Sequence, residues 1–416
     1  MKQMRLKLLS LIVSFLAFFP PSASAQDQPS KPVPFPTPAG LESSVDFWKK
    51  IFSEYSLSQL IYFDPEDMSK IYDVVDVGEE SRSNDYINGE RARVAAANGV
   101  DIERVKVQRG VKERTAAGIK RSGRHIAQIQ QILRDAGLPV ELSYLPIVES
   151  SYDNYARSSV GALGMWQFMP TTGRQYMRVN RAIDERRDPL ESTRAAAAYL
   201  QQAYETLGSW PLAITSYNYG IGGIARATGE VGSNELTDLI ERHNSRNWGF
   251  APKQFYAEFL AAVEIGTNLG QYFPGLELDA AVPIQEMELT ANTSIASLMK
   301  THRLSRDQLL GWNPALNAST NVVPAGYRVK IPSDRNSTPP IVVAQAQQSK
   351  REAQAKRTTA PGAKPVQVVH HRVKPGETLF QIAQRYGASV QRILQANGLR
   401  RAHMVRAGTT LVIPKV

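Results

Sequence analysis

One glutamate of the chain emerges from an apolar segment. Glu149 directly follows Leu145, Ile147 and Val148, in a stretch that continues to Asp153. Burial among apolar side chains disfavours the charged form of a carboxyl group, so the pKa rises and the group can stay protonated, as a general acid must. A lone glutamate in such a segment usually marks only the exposed face of a helix. The segments that follow Glu149 decide between these readings.

Three further segments follow Glu149 in order. The first is the glycine-rich stretch Gly161-Ala-Leu-Gly-Met-Trp-Gln167, and the last is the turn Ser216-Tyr-Asn-Tyr-Gly220. Between them, Asp188-Pro-Leu-Glu191 predicts the start of a helix, because aspartate caps helices, proline suits the first helical position and glutamate the third. We expect this helix to run to about Thr206.

Together these segments resemble the lytic transglycosylases of the soluble-lytic-transglycosylase type, glycoside hydrolase family 23. The matching pieces are Glu149-Ser150, Gly161-Ala-x-Gly-x-x-Gln167, Asp188-Pro with Ala-Ala-x-Tyr-Leu200, and Ser216-Tyr217-Asn218-Tyr-Gly220. The resemblance implies a mainly α protein with a lysozyme-like helical catalytic domain. It also implies an enzyme that cleaves the β-1,4 bond between N-acetylmuramic acid and N-acetylglucosamine in peptidoglycan.

A hydrolase of this linkage normally uses two carboxylates, but the motifs offer one. We interpret Asp153 as a surface residue, and Asp184 and Glu185 as part of a solvated charged loop. One carboxyl group suffices if the attacking hydroxyl is the C6-OH of the sugar itself. Glu149 would then protonate the leaving oxygen and afterwards remove the C6 proton, which leaves a 1,6-anhydromuramic end.

The resemblance also implies the residues that bind the glycan around Glu149. Ser158 and Gln167 stand at the family spacing and would line the sugar site. Met165 is a weaker candidate, since it and Trp166 could form the floor of the cleft or belong to the core.

Two residues of the tyrosine-containing turn complete the predicted site. Tyr217 would hydrogen bond to Glu149 or position it near an oxocarbenium-like transition state. Asn218 would bind the substrate or hold the loop. In this motif Ser216 replaces the alanine that the family usually has.

Nothing in the sequence indicates a metal or a cofactor. The chain has no cysteine, which excludes disulfides, thiolate zinc sites and a lipoprotein anchor. His125, His243 and His302 have no partner at metal-ligand spacing, and the other histidines lie in or beside the C-terminal tail. The Gly220-Ile-Gly-Gly segment lacks the lysine of a phosphate loop. We therefore expect neither a metal nor a small-molecule cofactor.

The N-terminus has the pattern of a secretory signal peptide. Residues 1–25 contain Lys2, Arg5 and Lys7, then a short apolar run, and end in Ala-Ser-Ala25. We expect cleavage after Ala25 and a periplasmic or cell-envelope protein that is not a lipoprotein. An uncleaved anchor is the alternative, and peripheral association with the envelope stays open.

The length of 416 residues predicts two or more folded units. Residues 26–40 have proline at alternate positions and are predicted to form an extended spacer. The pattern then becomes helical, with an N-terminal helical region at 41–120 and the transglycosylase domain at 121–280. Ile126, Ile129, Ile132 and Leu133, for example, predict a helix that stops at Gly137.

The C-terminal part contains a repeat, at a shift of 84 residues, that matches Asn313 with Asn397. Each copy, 283–332 and 371–414, reads as a small βααβ module, with a polar, flexible linker at 333–370 between them. The second copy resembles a LysM module, a glycan binder. By that resemblance its contacts with N-acetyl sugars come from Gly376, Glu377, Thr378 and Leu379. The first copy is degenerate, because Ala291-Asn292 replaces Pro375-Gly376.

The formal net charge of +10 arises from the tail. Residues 371–416 contribute +7 and residues 333–370 contribute +4, which leaves −1 for the remainder. The basic tail fits an acidic cell wall, and the signal peptide argues against nucleic acid as a partner. A peptidoglycan lytic transglycosylase is the favoured function. The alternatives are a goose-type lysozyme-like hydrolase and a non-catalytic cell-wall-binding scaffold.

Overall fold

The computed structural model describes residues 34–78 and 83–333 and, in the tail, residues 368–374, 377, 379–388, 390–397, 399 and 408–414. The chain divides into two compact units, Met1–Ile341 and Val342–Val416. The predicted signal peptide and nearly all of the predicted linker lie outside the described residues. Among the described residues, no helix combines the length and the apolar character needed to cross a bilayer.

The first unit is mainly helical. Before residue 283 its α-helices are α1 (Glu42–Ser53), α2 (Asn84–Asn98), α3 (Lys112–Ser122), α4 (Ile126–Asp135), α5 (Leu145–Glu149), α6 (Pro170–Tyr176), α7 (Pro189–Leu207), α8 (Trp210–Tyr219), α9 (Ile221–Val231), α10 (Leu236–Arg242), α11 (Phe250–Thr267) and α12 (Leu269–Tyr272). Most of them pack around one large core in which α11 contacts α1, α5 and α8. The expected mainly α class is confirmed.

Two helix boundaries follow directly from the sequence. α7 begins at Pro189, and the side chain of Asp188 accepts hydrogen bonds from the first-turn backbone N–H groups, as a cap should. α4 ends at Asp135, and Gly137 follows with a φ of 70°. Both predictions are confirmed, because helix caps depend on a few adjacent residues.

The N-terminal region contains a sheet that the helical prediction for 41–120 missed. Its strands are β1 (Gln59–Phe63), β2 (Ile71–Asp76) and β3 (Lys106–Arg109), paired antiparallel in the order β2-β1-β3. The run Leu-Ile-Tyr-Phe63 is short and rich in β-branched and aromatic residues, which favours a strand over a helix. Together with α2, the sheet encloses a small core of its own.

The predicted spacer is not a free tether over its described part. Phe35 is buried, with its ring centroid 5.4 Å from that of Trp210 and 5.0 Å from that of Phe259. The hydroxyl of Tyr256 donates to the carbonyl of Pro36 at 3.0 Å. Proline stiffens the backbone, but a single phenylalanine between prolines is enough to dock it on the helical core.

Both copies of the repeat contain the βααβ order that the sequence predicts, and the first copy has two further short strands. The first contains β4 (Ile284–Glu288), β5 (Thr293–Ser294), α13 (Ile295–His302), α14 (Arg306–Trp312), β6 (Val322–Val323) and β7 (Arg328–Pro332); the second contains β8 (Val368–Arg372), α15 (Leu379–Tyr386), α16 (Val390–Ala396) and β9 (Thr410–Pro414). In each copy the first and last strands pair antiparallel.

The matched asparagines make equivalent hydrogen bonds in the two copies. The side chain of Asn313 donates to the carbonyl of Lys330 and accepts from its backbone N–H, both at 2.8 Å. Asn397 makes the same pair of bonds with Val412, both at 2.7 Å. The asparagine therefore ties the second helix of each module to its last strand.

Candidate active site

Glu149 is the last residue of α5, which begins with the buried residues Leu145, Pro146 and Ile147. The side chain of Glu149 is partly buried where α5 packs on α11. Burial, followed by the charge of Glu258 on α11, raises the pKa of Glu149 to about 8. The carboxyl group is therefore protonated near neutral pH and can donate a proton.

The chain leaves Glu149 through a strained turn. Ser151 and Tyr152 have φ values of 52° and 56°, a left-handed conformation that costs non-glycine residues free energy. The hydroxyl of Ser150 donates to the carbonyl of Met165 at 2.7 Å. The guanidinium of Arg121 on α3 donates to the carbonyls of Ser151 at 2.7 Å and Tyr152 at 3.2 Å. The turn after Glu149 is thus held from two sides.

A second carboxyl group lies beside Glu149, and the sequence reasoning missed it. Glu258 is partly buried on α11, between the buried residues Ala257 and Phe259, and burial raises its pKa to about 8. It carries the same sequence signal as Glu149, a glutamate within an apolar segment. Glu258 lies outside the motifs of the resemblance, so only this burial signal could have indicated it from the sequence.

Tyr217 on α8 lies close to Glu149, but its hydroxyl has another partner. Burial, and then the charge of Glu149, raise the pKa of Tyr217. The hydroxyl donates to the backbone carbonyl of Trp166 at 2.9 Å, and the ring contacts Phe168 edge-on with a centroid distance of 6.0 Å. Tyr217 therefore fixes the glycine-rich stretch beside Glu149. The next residue, Asn218, is exposed.

The predicted sugar-binding residues of the glycine-rich region are already engaged within their own loop. The Ser158 hydroxyl accepts from the Ala162 N–H at 2.9 Å. Gln167 has a φ of 50°, and its side-chain amide donates to the carbonyls of Ala156 at 3.0 Å and Gly164 at 2.7 Å. The Gln167 amide oxygen and the Ser158 hydroxyl hydrogen keep the capacity to bind a sugar.

Met165 lies in the hydrophobic core. It is 2% exposed and belongs to the main core, which favours packing over the predicted contact with substrate. Gly164 nearby has a φ of 84°, and a Cβ atom at this position would lie 1.8 Å from the carbonyl oxygen of Arg186. The backbone at Gly164 therefore requires glycine, as expected for a close approach.

The acidic residues Asp153, Asp184 and Glu185 have structural partners. Asp153 accepts a hydrogen bond from the Tyr155 N–H at 2.8 Å, within its own turn. Asp184 and Glu185 form ion pairs with Arg186 and Arg178 and are largely buried, so the prediction of a solvated loop is wrong here. Within the residues that the structure describes, no three or more His, Asp or Glu side chains form a group that could hold a metal ion.

In the second unit, two of the predicted glycan-binding residues, Gly376 and Thr378, lie outside the described residues. The carboxylate of Glu377 accepts from His371 at 2.7 Å, from Arg385 at 2.6 Å and from the backbone N–H of Lys374 at 3.1 Å.

Leu379 is 3% exposed and packs in the core of the second module. Because Glu377 is engaged within its own loop and Leu379 is buried, the structure favours internal roles for both residues over the predicted contacts with glycan.

Comparison with known proteins assigns these regions. Residues 127–240 match the family model of the transglycosylase SLT domain, and residues 371–414 match that of the LysM domain. Membrane-bound lytic murein transglycosylase D of Escherichia coli (strain K12) is 28% identical over 290 residues, which are 68% of this chain. The match spans 61% of the length of that relative.

Two solved structures are similar to part of the chain. An inactive mutant of the lytic transglycosylase Slt from Pseudomonas aeruginosa has a TM-score of 0.30 and 23% identity, covering 37% of this chain and 25% of that one. The 70 kDa soluble lytic transglycosylase from Escherichia coli has a TM-score of 0.27 and 20% identity, covering 34% and 23%. From the family matches, the chain carries a transglycosylase SLT domain, which contains Glu149 and Tyr217, and a C-terminal LysM domain.

Proposed function

We propose that the protein is a peptidoglycan lytic transglycosylase with Glu149 as its catalytic acid. The observation that carries the proposal is the partly buried carboxyl group at the end of α5, whose pKa is raised by burial, within the region that matches the SLT domain. The relative's name, which includes lytic murein transglycosylase, supports the same substrate class. The reaction would cleave the β-1,4 bond after N-acetylmuramic acid.

The raised pKa of Glu149 suits both halves of the reaction. In the first half, Glu149 donates its proton to the glycosidic oxygen, the C1–O bond breaks, and an oxocarbenium-like muramic ring forms. The carboxylate that remains is then a comparatively strong base, because its surroundings favour the protonated form. In the second half it takes the proton of the C6-OH, whose oxygen bonds to C1. The product carries a 1,6-anhydro ring, and no water is consumed.

Glu258 is the residue that could support the alternative, a goose-type lysozyme-like hydrolase. A hydrolase needs a carboxylate to activate water. Because the pKa of Glu258 is also raised to about 8, the group is mostly uncharged near neutral pH and is a poor base there. Glu258 therefore does not supply the charged carboxylate that the activation of water requires near neutral pH.

The remaining parts of the chain fit an envelope enzyme. The LysM domain would hold the protein on N-acetyl glycan strands, and the predicted signal peptide would export it to the periplasm. The relative's name describes a membrane-bound protein. For this chain, which has no cysteine for lipid attachment, we propose peripheral association through the glycan.

Digestion of purified sacculi tests the proposal. The full-length protein should release muropeptides with 1,6-anhydromuramic ends, and Glu149→Gln should release almost none while it still binds the sacculi. The matched control is Glu141→Gln, a substitution of a glutamate in the turn just before α5. Equal product from the wild type and Glu149→Gln would overturn the assignment.

A further inference from the structure

The first repeat module, residues 283–332, shares a core and a backbone hydrogen-bond network with the loop 178–188 of the catalytic domain. Ile183 is 2% exposed and packs in the core of the module. The Asp184 N–H donates to the carbonyl of Ala315 at 2.8 Å. The Ala182 carbonyl accepts from the backbone N–H of Asn317 at 3.0 Å and from the Thr320 hydroxyl at 2.7 Å. The loop is thus built into the module.

A buried lysine forms ion pairs across the same interface. The ammonium of Lys330, on β7, lies 2.9 Å from Asp188, 3.0 Å from Glu191 and 3.4 Å from Glu286, and the side chain is 2% exposed. Burial alone would lower the pKa of Lys330. The carboxylates of Asp188 and Glu191 nevertheless hold this pKa above its ordinary value. Arg328 adds an ion pair with Glu191 at 2.7 Å. Removing one partner of such a group leaves the others buried and unpaired.

The positive charges of Arg328 and Lys330 occur only in the first module. When the two repeats are matched, Arg328 corresponds to Thr410 and Lys330 to Val412. The asparagine that ties the last strand is present in both copies, so the fold of the module does not require these charges. They serve the contact with the catalytic domain.

The loop 178–188 in turn holds the glycine-rich stretch of the candidate active site. The guanidinium of Arg186 is buried, pairs with Asp184 at 2.9 and 2.8 Å, and donates to the carbonyls of Gly161 at 3.1 Å and Phe168 at 3.0 Å. These carbonyls flank the segment that carries Gln167, whose φ of 50° needs support from its surroundings.

The part of the first module that would face a glycan is also engaged. By resemblance to LysM, the groove uses the loop after the first strand and the segment before the last strand. In this module Ala325 N–H donates to the side chain of Asn292 at 3.0 Å. A Cβ atom on Gly326 would lie 3.2 Å from the guanidinium of Arg178. This segment therefore lies against the catalytic domain.

We propose that the 283–332 module is a bracket for the active site, in which Lys330 and Arg186 are positioning residues for the segment 161–168. Lys330 holds the loop 178–188 in place, and Arg186 transmits that position to the stretch with Gln167. A repeat of the glycan-binding type thus acts as an integral part of the catalytic domain. The kinetic consequence of this proposal rests on the proposed function, whereas its structural consequence does not.

The test compares full-length Lys330→Met and Arg186→Lys with Lys300→Met, which removes an exposed lysine of the same module. Hydrogen exchange of the amides in 161–168 should speed up at least about tenfold in the first two variants and stay unchanged in the control. The KM for a short soluble glycan should rise roughly tenfold, since the sugar-binding segment moves. The pH dependence set by Glu149 should stay as in the wild type.

Asn317→Ala removes a hydrogen bond from the guanidinium of Arg187, at 2.6 Å, and Arg187 keeps its bond to the carbonyl of Ala315 at 3.2 Å. This variant replaces Lys330→Met if Lys330→Met does not fold. Asn317→Ala should also speed up hydrogen exchange of the amides in 161–168. Unchanged exchange in that segment in folded variants would overturn the bracket, whatever the activity. If the wild-type protein cleaves no glycan, the proposed function alone is overturned. Hydrogen exchange in 161–168 tests the bracket independently of activity.

Discussion

Glu258 on α11 lies close enough to Glu149 at the end of α5 for its charge to raise the pKa of Glu149. The two glutamates are 109 positions apart in the chain (258 − 149) and meet because the helices that carry them pack together. Burial raises the pKa of each to about 8. Two like charges in one poorly solvated place are unfavourable, so the pair keeps its protons near neutral pH.

The first prediction concerns the pH dependence of the wild type. If Glu149 is the catalytic acid, activity requires its protonated form, so kcat/KM should be steady near pH 7 and should fall about tenfold per pH unit above about 8. Initial rates on a soluble glycan across pH 5 to 10 measure this limb. A fall already complete by pH 6 would show that the acid has an ordinary pKa and would contradict the site as described.

The second prediction isolates the contribution of Glu258. Glu258→Gln keeps the shape but removes the charge that Glu258 acquires as the pair titrates, so the pKa of Glu149 should drop and the alkaline limb should move to lower pH. Glu241→Gln, a substitution of an exposed glutamate on α10, is the matched control and should leave the limb in place. An unmoved limb in Glu258→Gln would mean that burial alone sets the pKa of Glu149.

The third prediction links the same pair to stability. The folded protein keeps the two protons up to about pH 8, whereas the unfolded chain releases them near its ordinary value of 4.5. The stabilisation from these groups is therefore fully present below about pH 4.5 and is lost as the pH rises to about 8. The difference in the free energy of unfolding between pH 5 and pH 8, measured by thermal unfolding, should be smaller in Glu258→Gln than in the wild type, by roughly 3 kcal/mol. An equal difference in both proteins would refute the linkage.

The fourth prediction concerns the turn after Glu149. Arg121→Lys keeps the charge but cannot donate to the carbonyls of Ser151 and Tyr152 in the same forked geometry. We expect kcat to fall roughly tenfold to a hundredfold with a smaller change in KM, because the proposed acid is misplaced while the segment 161–168 is intact. Arg134→Lys, at an exposed position on α4, is the control. A wild-type kcat in a folded Arg121→Lys variant would show that the hydrogen bonds from Arg121 to this turn do not position Glu149.

The fifth prediction separates the C-terminal LysM domain from the chemistry. Deletion of residues 371–416 should weaken retention on insoluble peptidoglycan roughly tenfold or more, because the tethered domain raises the local concentration of the enzyme. Cleavage of short soluble glycans should be unaffected. Retention of the truncated protein equal to that of the full chain would remove this role from the LysM domain.

Local patterns in the sequence predicted much of the fold. The cap at Asp188, the end of α4 and the asparagine pair Asn313 and Asn397 each depend on a few adjacent residues or on a repeat that can be aligned. The burial of Glu149 could also be predicted, because its apolar neighbours adjoin it in the chain.

Contacts between distant segments could not be predicted in this way. Glu258 meets Glu149 only through the packing of α11 on α5, and Lys330 meets Asp188 only because the first module docks on the catalytic domain. β1 pairs with β3 across more than forty positions, from Gln59–Phe63 to Lys106–Arg109. Met165 was open to two readings, and burial in the core favours the structural one.

The products of digestion in ¹⁸O-water test the central claim most directly. If the C6-OH is the nucleophile, its intramolecular position gives it an effective concentration of roughly 10⁵ M or more, far above that of water. Mass spectrometry should then find 1,6-anhydromuramic ends that are lighter than the hydrolysed form by one water and carry no ¹⁸O. Muramic ends with ¹⁸O at C1 would contradict the account and would make Glu258 the first residue to examine as the base that activates water.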